Sequence, residues 1–179
     1  GDLGTFGTSP IMIEDDDHDV FRFSSFPVGS YMIGVDDAQK INVFARDFEM
    51  TVRNIVEKFG YDRKTNTINW DNISLQVKNL WENSQYESWV QVFHVIRPNP
   101  EFDPRKIGPE FKRYQSIYYE RGTANNNYNQ YSTMDQSKVL RRGGYDMFPV
   151  MCPRWEVTGE DIYGTECPGM TCLGDAKAL

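Results

Sequence analysis

Residues Tyr86 to Ile96 constrain the fold more than any other stretch of the chain. Drawn out as a strand, they place Trp89, Phe93 and Val95 on one side and Val90, Val92 and Ile96 on the other. Neither side suits water, so the segment belongs at the centre of a sheet. Arg97-Pro98-Asn99-Pro100 ends it, because proline cannot donate to a ladder.

Shorter patterned runs surround that strand. Val20 to Phe26 alternates Phe21, Phe23 and Ser25 against Val20, Arg22 and Ser24, which predicts a strand with one wet face. Ser30 to Val35 and Ile41 to Arg46 form a hairpin pattern, with Tyr31, Ile33 and Val35 matched to Ile41, Val43 and Ala45 across the polar link Asp36 to Lys40. Thr51 is placed to cap a helix whose apolar face is Val52, Ile55, Val56 and Phe59, with Gly60 as a left-handed C-cap. A second amphipathic helix fits Asp71 to Glu82, with Ile73, Val77, Leu80 and Trp81 on one face. Gln115 to Arg121, Lys138 to Arg142 and Met147 to Pro153 read as further strands. Gly1 to Ser9, Glu101 to Lys112 and the Asn125-Asn126-Asn127 turn read as irregular. The expected fold class is α+β: β-rich, with mixed or antiparallel sheets and two early helices near 51–59 and 71–82.

A chain of 179 residues, 39% hydrophobic and 14% aromatic, can bury a core of its own. The net charge of −7 argues against tight binding to a phosphate backbone. Three cysteines between Cys152 and Cys172 do not make a disulfide framework and fit a reducing cytoplasm. No apolar run approaches the roughly 20 residues that span a bilayer, so no membrane partner is expected. The chain begins without methionine and stops at Leu179 in a helix-like pattern, so it reads as a piece of something longer.

Chemistry-bearing patterns are weak. Counting an EF-hand from Asp15 puts Val20 where glycine is needed and Phe26 where the bidentate Glu is needed, so Glu14 to Asp19 is a solvated acidic run. Cys152, Cys167, Cys172 and His94 lack paired zinc-ligand spacing, so no metal and no cofactor are expected. A Cys-His nucleophile is open in principle, but His94 sits mid-strand and is better read as a sheet histidine with a hydrogen-bond partner. Gly159 and Gly164 have P-loop spacing, yet Thr165 stands where the lysine must be. No catalytic residue is assigned. From Arg97 to Arg142 the cations are interleaved with tyrosines and with acids that dilute the field, so an oligomer interface or a solvated face is expected before a nucleic-acid footprint.

The last thirty-five residues carry a distinctive order: Phe148-Pro149-Val150, Pro153-Arg154-Trp155, Tyr163-Gly164 and then Pro168-Gly169-Met170. With Phe26-Pro27-Val28-Gly29-Ser30-Tyr31, Arg46-Asp47-Phe48-Glu49-Met50-Thr51 and the helix ending Phe59-Gly60, this order resembles the head-to-tail connecting (portal) family of short-tailed bacteriophages. Thr165-Glu166-Cys167 departs from it, where a shorter polar link is expected. The resemblance implies a structural virion protein with no enzyme activity. It would be one subunit in a ring of about twelve at a capsid vertex, passing double-stranded DNA and docking terminase and tail proteins. Assembly would take place in the host cytoplasm. Residues 1–155 would be a wing-like domain, and 156–179 a turn and helix start leading toward a stem and clip beyond Leu179. A subunit interface is expected at some of Tyr114, Tyr118, Arg121, Tyr128, Tyr131, Arg141 and Arg142. Pro149, Pro153, Arg154, Trp155, Tyr163 and Gly164 form a structural motif, with Arg154 and Trp155 holding the turn by stacking or an ion pair. The main rival is a small β-rich tail or partner-binding module that forms no ring. A hydrolase using Cys152 or His94 comes third.

Overall fold

Trp89–Pro98 runs through the middle of a five-stranded antiparallel sheet. The structure, a computed structural model, describes residues 1–15, 20–62, 64–122 and 139–178. The first elements are α1 Asp2–Phe6, β1 Ile11–Asp15, β2 Phe21–Ser25, β3 Tyr31–Val35, β4 Ile41–Thr51 and α2 Val52–Ile55. Then come β5 Tyr61–Asp62, β6 Thr67–Ile68, α3 Leu75–Glu82, β7 Trp89–Pro98, β8 Tyr114–Gly122 and β9 Val139–Tyr145. The last are β10 Val150–Met151, α4 Pro168–Thr171 and α5 Leu173–Ala178. The large sheet has the order β3-β4-β7-β8-β9, a small one the order β10-β1-β2, and β5 pairs with β6. The architecture is α+β, as expected.

One face of the large sheet is covered by two different layers. Over one half lie α2, its continuation and α3, whose Val52, Ile55, Val56 and Val77 pack with Val90, Val92, Tyr118 and Leu140. Over the other half lies the small sheet, whose Met12 and Val150 join Phe26, Tyr31, Ile33, Phe44 and Ile96. Each such side chain contributes about 1.5–3 kcal/mol when fully buried, so these two clusters hold the fold together.

The Thr51 cap behaves as expected, and two further sets of local hydrogen bonds fix the ends of α3 and of the β3–β4 hairpin. The Thr51 hydroxyl accepts from the Asn54 N–H at 3.3 Å, the N-cap that starts α2. Ser74 does the same for α3, accepting from the Val77 N–H at 3.3 Å, so that helix begins later than Asp71. Asp36 closes the β3–β4 hairpin by accepting from the Ala38 and Lys40 amides.

Other expectations need correction. The helix after Ile55 widens into a π-turn, Val56–Gly60, and Gly60 is not a left-handed cap. The backbone is close-packed there: an added Cβ would lie 2.5 Å from the tip of Ile73, at Cδ1, and 3.1 Å from the Asn69 carbonyl oxygen. A bulge at Gly34/Val35 shifts the hairpin register, so Tyr31 and Ile33 share their face with Arg46 and Phe44, not with Val43 and Ala45. On β2 it is Phe21 and Phe23 that face water, because Ser24 lies opposite buried Met12 on the inner side. Gly1 to Ser9, read as irregular, holds α1, and the acidic run read as solvated begins inside β1, whose last residues are Glu14 and Asp15. The asparagine turn lies outside the described residues.

Candidate functional site

Arg46, His94, Tyr118 and Arg141 stand in register across β4, β7, β8 and β9. The His94 ring stacks on Tyr118 with centroids 3.8 Å apart and planes 6° apart, and its Nε2 lies 2.9 Å from Ser116 Oγ. The Arg46 guanidinium sits 4.3 Å over Phe48 and 5.0 Å over Phe26. From the π-turn, Lys58 brings its ammonium to 4.8 Å from the Tyr118 ring, and Arg141 donates to the Lys58 carbonyl at 2.9 Å while lying 5.4 Å from Phe59. The row is thus a set of cations interleaved with aromatic rings, a cohesive arrangement between sheet and helix.

Its electrostatics do not favour proton transfer. Burial, then the charges of Arg46 and Lys58, pushes His94 down to about 2, so the ring is neutral at any ordinary pH. Burial lowers Lys58, with Arg46, Arg141 and Arg22 adding to it and Glu14 opposing. Tyr118 is raised, first by burial and then by Glu14. Cys152 is pushed up to about 11 by burial against the pull of Arg154, which keeps it a thiol and a poor nucleophile. Among the described residues, no group of three or more His, Cys, Asp or Glu side chains is placed to hold a metal ion.

The closing motif ties the two ends of the chain together. Arg154 donates from Nη2 to the Gln39 carbonyl at 2.6 Å, and from Nη1 to the carbonyls of Ile162 at 3.2 Å and Asp161 at 3.4 Å. It holds the turn through carbonyls, where stacking or an ion pair was expected. Gly164 donates to the Thr8 hydroxyl at 2.8 Å, the Trp155 N–H donates to the Gly7 carbonyl at 2.8 Å, and the Tyr163 hydroxyl accepts from the Ile33 N–H at 3.3 Å. Trp155 itself is half-exposed. Pro149 accepts from the Ile13 N–H and Pro153 from the Ser9 N–H, so the two prolines bracket β10 where it meets the N-terminal segment.

The family described as "Bacteriophage head to tail connecting protein" matches residues 1–179 of this chain. The chain belongs to that family. It is 43% identical over 177 residues to a portal protein of Salmonella phage epsilon15, and 33% identical over 178 residues to a probable portal protein of Bordetella phage BPP-1. Each match covers 99% of this chain but 28% of the relative, so the chain spans little more than a quarter of these relatives' length.

Of the residues expected at an interface, Tyr118 is 5% exposed and belongs to the interior, stacked on His94. Tyr114 is half-buried against Phe148, with ring centroids 5.3 Å apart. Arg121 is ion-paired with Asp47 on the outer face of the large sheet. Arg141 and Arg142 are exposed and, being adjacent in β9, point to opposite faces. Tyr128 and Tyr131 lie outside the described residues. The structure therefore brings Tyr118 and Arg141 together and keeps Arg142 apart from them. Sequence reasoning missed Arg46 and Lys58 as partners of Tyr118, since strand register alone sets Arg46 in the row and the packing of the π-turn on the sheet brings Lys58 to it.

Proposed function

We propose that this chain is part of a portal subunit, one of about twelve identical copies that close into a ring at a capsid vertex. The observation that carries this is the match to two portal proteins across 99% of the chain. In this reading the protein acts by shape and self-association and not by catalysis. A ring of this kind lets double-stranded DNA through during packaging and ejection, and it meets capsid, terminase and tail proteins through the longer polypeptide. It assembles in the host cytoplasm and ends in the virion.

The physical character of the chain supports such a role. A passage for moving DNA gains from few fixed cations, since each neutralised phosphate adds affinity and therefore drag. With a net charge of −7, this chain is a conduit wall better than a DNA clamp. Its His94 and Cys152 are held in forms unsuited to acid–base or nucleophilic work, which supports a structural part. Residues 1–155 form the wing-like portion, and α4 and α5 lead on toward the rest of the subunit. Arg142, Arg141 and the half-buried Tyr114 remain the interface residues of this proposal.

Electron microscopy and mass measurement on the full-length protein test it. Rings of about twelve copies are expected. A monomeric or trimeric particle would support the binding-module alternative, and turnover of a small molecule abolished by His94→Gln would support the hydrolase.

A further inference from the structure

Arg53, Lys78, Lys112 and Arg121 each meet a carboxylate, of Glu87, Glu82, Asp146 and Asp47 in turn. Arg46, Lys58 and Arg141 form no ion pair with any described residue, yet all three gather around the Tyr118 ring. In a chain of net charge −7, composition alone does not produce such a gathering. Like charges brought this close repel, and burial makes the repulsion dearer. Lys58 shows the effect: burial lowers it, Arg46, Arg141 and Arg22 lower it further, and only Glu14 opposes them.

The cations lie at the joint between the two covering layers. His94 stands between Val92, packed under the helices, and Ile96, packed under the small sheet, with Arg46, Tyr118 and Arg141 beside it in register. From the small sheet, Glu14 lies on the inner side with Met12. It faces Arg22 across the strand pair, so the one described acid whose charge reaches Lys58 and Tyr118 is shared with a fourth cation. What the joint offers is donors. Arg46 Nε is buried with no hydrogen-bond partner among the described residues, and burial keeps the Tyr118 hydroxyl protonated. Lys58 and Arg141 stand at the exposed rim, Arg141 anchored by its bond to the Lys58 carbonyl and both lying over Phe59, at 5.6 and 5.4 Å. The rings orient these cations without neutralising them.

We propose that Arg46, Lys58 and Arg141 form a binding site for a phosphate group at the joint between the helical layer and the small sheet. Two guanidinium groups and an ammonium supply more charge than one carboxylate can balance, and a planar guanidinium matches two oxygens of a phosphate at once. The array is already held in place by its rings and by the Arg141 bond, so little order is lost on binding. The phosphate is either the free anion or one group of a nucleic-acid backbone. Three cations at one point hold a single phosphate and make no track along DNA, so the site does not turn a conduit wall into a clamp. It also does not depend on ring closure.

The test reads Lys58 itself. The full-length protein is treated with an amine-acylating reagent in sodium phosphate or in sodium chloride of equal ionic strength, and acylation of each lysine is followed by peptide mass spectrometry. Lys58 is expected to react about tenfold more slowly once phosphate stands about ten times above its Kd, while Lys78, paired with Glu82, is unchanged. Arg141→Met is expected to lose this protection and Arg141→Lys to keep most of it. A short DNA duplex in place of phosphate separates the two sources: protection by the duplex at a lower concentration of phosphate groups assigns the site to a nucleic-acid backbone, and protection by inorganic phosphate alone assigns it to the free anion. Unchanged Lys58 reactivity with both would overturn the proposal, because the three charges would then be met by the protein's own acids. Equal slowing at Lys78, protection that survives Arg141→Met, or a Lys58 that the reagent cannot reach in the parent would each overturn it as well.

Discussion

Replacing Gly164 by alanine is expected to open the junction between the chain's first ten residues and its closing motif. Gly164 is buried, and a Cβ there would collide with the Gly7 carbonyl oxygen, lying only 2.8 Å from both the Gly7 carbonyl carbon and the Trp155 nitrogen. All three are backbone atoms, so no side-chain rotation relieves the clash. The φ of Gly164 is not positive, so the requirement is one of space and not of conformational freedom. Separating the strands breaks the bonds from Gly164 to Thr8 and from Trp155 to Gly7, both 2.8 Å. Thr8 is buried, so its polar group loses a partner without gaining water. Two such bonds are together worth about 2–4 kcal/mol once the penalty for unsatisfied groups is included. Amide hydrogen exchange in the full-length protein reads this directly. Protection of peptides covering 1–9 and 153–167 is expected to fall by about 30- to 800-fold, with the rest of the molecule little changed. Gly174→Ala, where a Cβ meets nothing within 4 Å, serves as the control and leaves protection as it is. If Gly164→Ala keeps protection within about threefold of the parent, the close approach is not what this junction depends on.

Three further outcomes are expected. Ser74→Ala removes the α3 cap and the hydroxyl that donates to buried Glu120 at 2.7 Å, so thermal or urea unfolding is expected to report a loss of about 2–4 kcal/mol, against about 0.5 or less for a mere surface change. His94 titrates at about 2 in the fold and 6.5 unfolded, so its contribution is complete above 6.5 and declines as pH falls toward 2. The parent is expected to lose about 2 kcal/mol more than His94→Gln between pH 7 and pH 5; equal losses would show that the neutral ring is not what acid attacks. Arg142→Glu is expected to weaken ring assembly about tenfold, and normal rings from that variant would remove Arg142 from the interface.

The signals legible along the chain were the local ones. Thr51 caps its helix because a hydroxyl reaches an amide three residues away, a contact independent of the rest of the fold; Ser74 caps α3 in the same way, three residues after the Asp71 start that periodicity suggests. The central place of β7 follows from having apolar residues on both sides, and His94 has the hydrogen-bond partner expected of it, Ser116. Phe21 and Phe23 show where such reasoning stops. Alternation marks them as one face of a strand, but whether that face is inside depends on which side of the small sheet meets Phe44 and Ile96.

What the linear order of residues determined, then, is the class of fold, the acidic character and the membership in the head-to-tail connecting family. Each rests on composition or on patterns a few residues long. Only the tertiary structure decided that Tyr118 is interior, that Arg154 holds a carbonyl of a distant hairpin, and that Gly164 bonds a residue 156 positions before it. Periodicity reports which side chains share a face. Burial and close approach depend on what that face meets, and the meeting elements are distant in the chain.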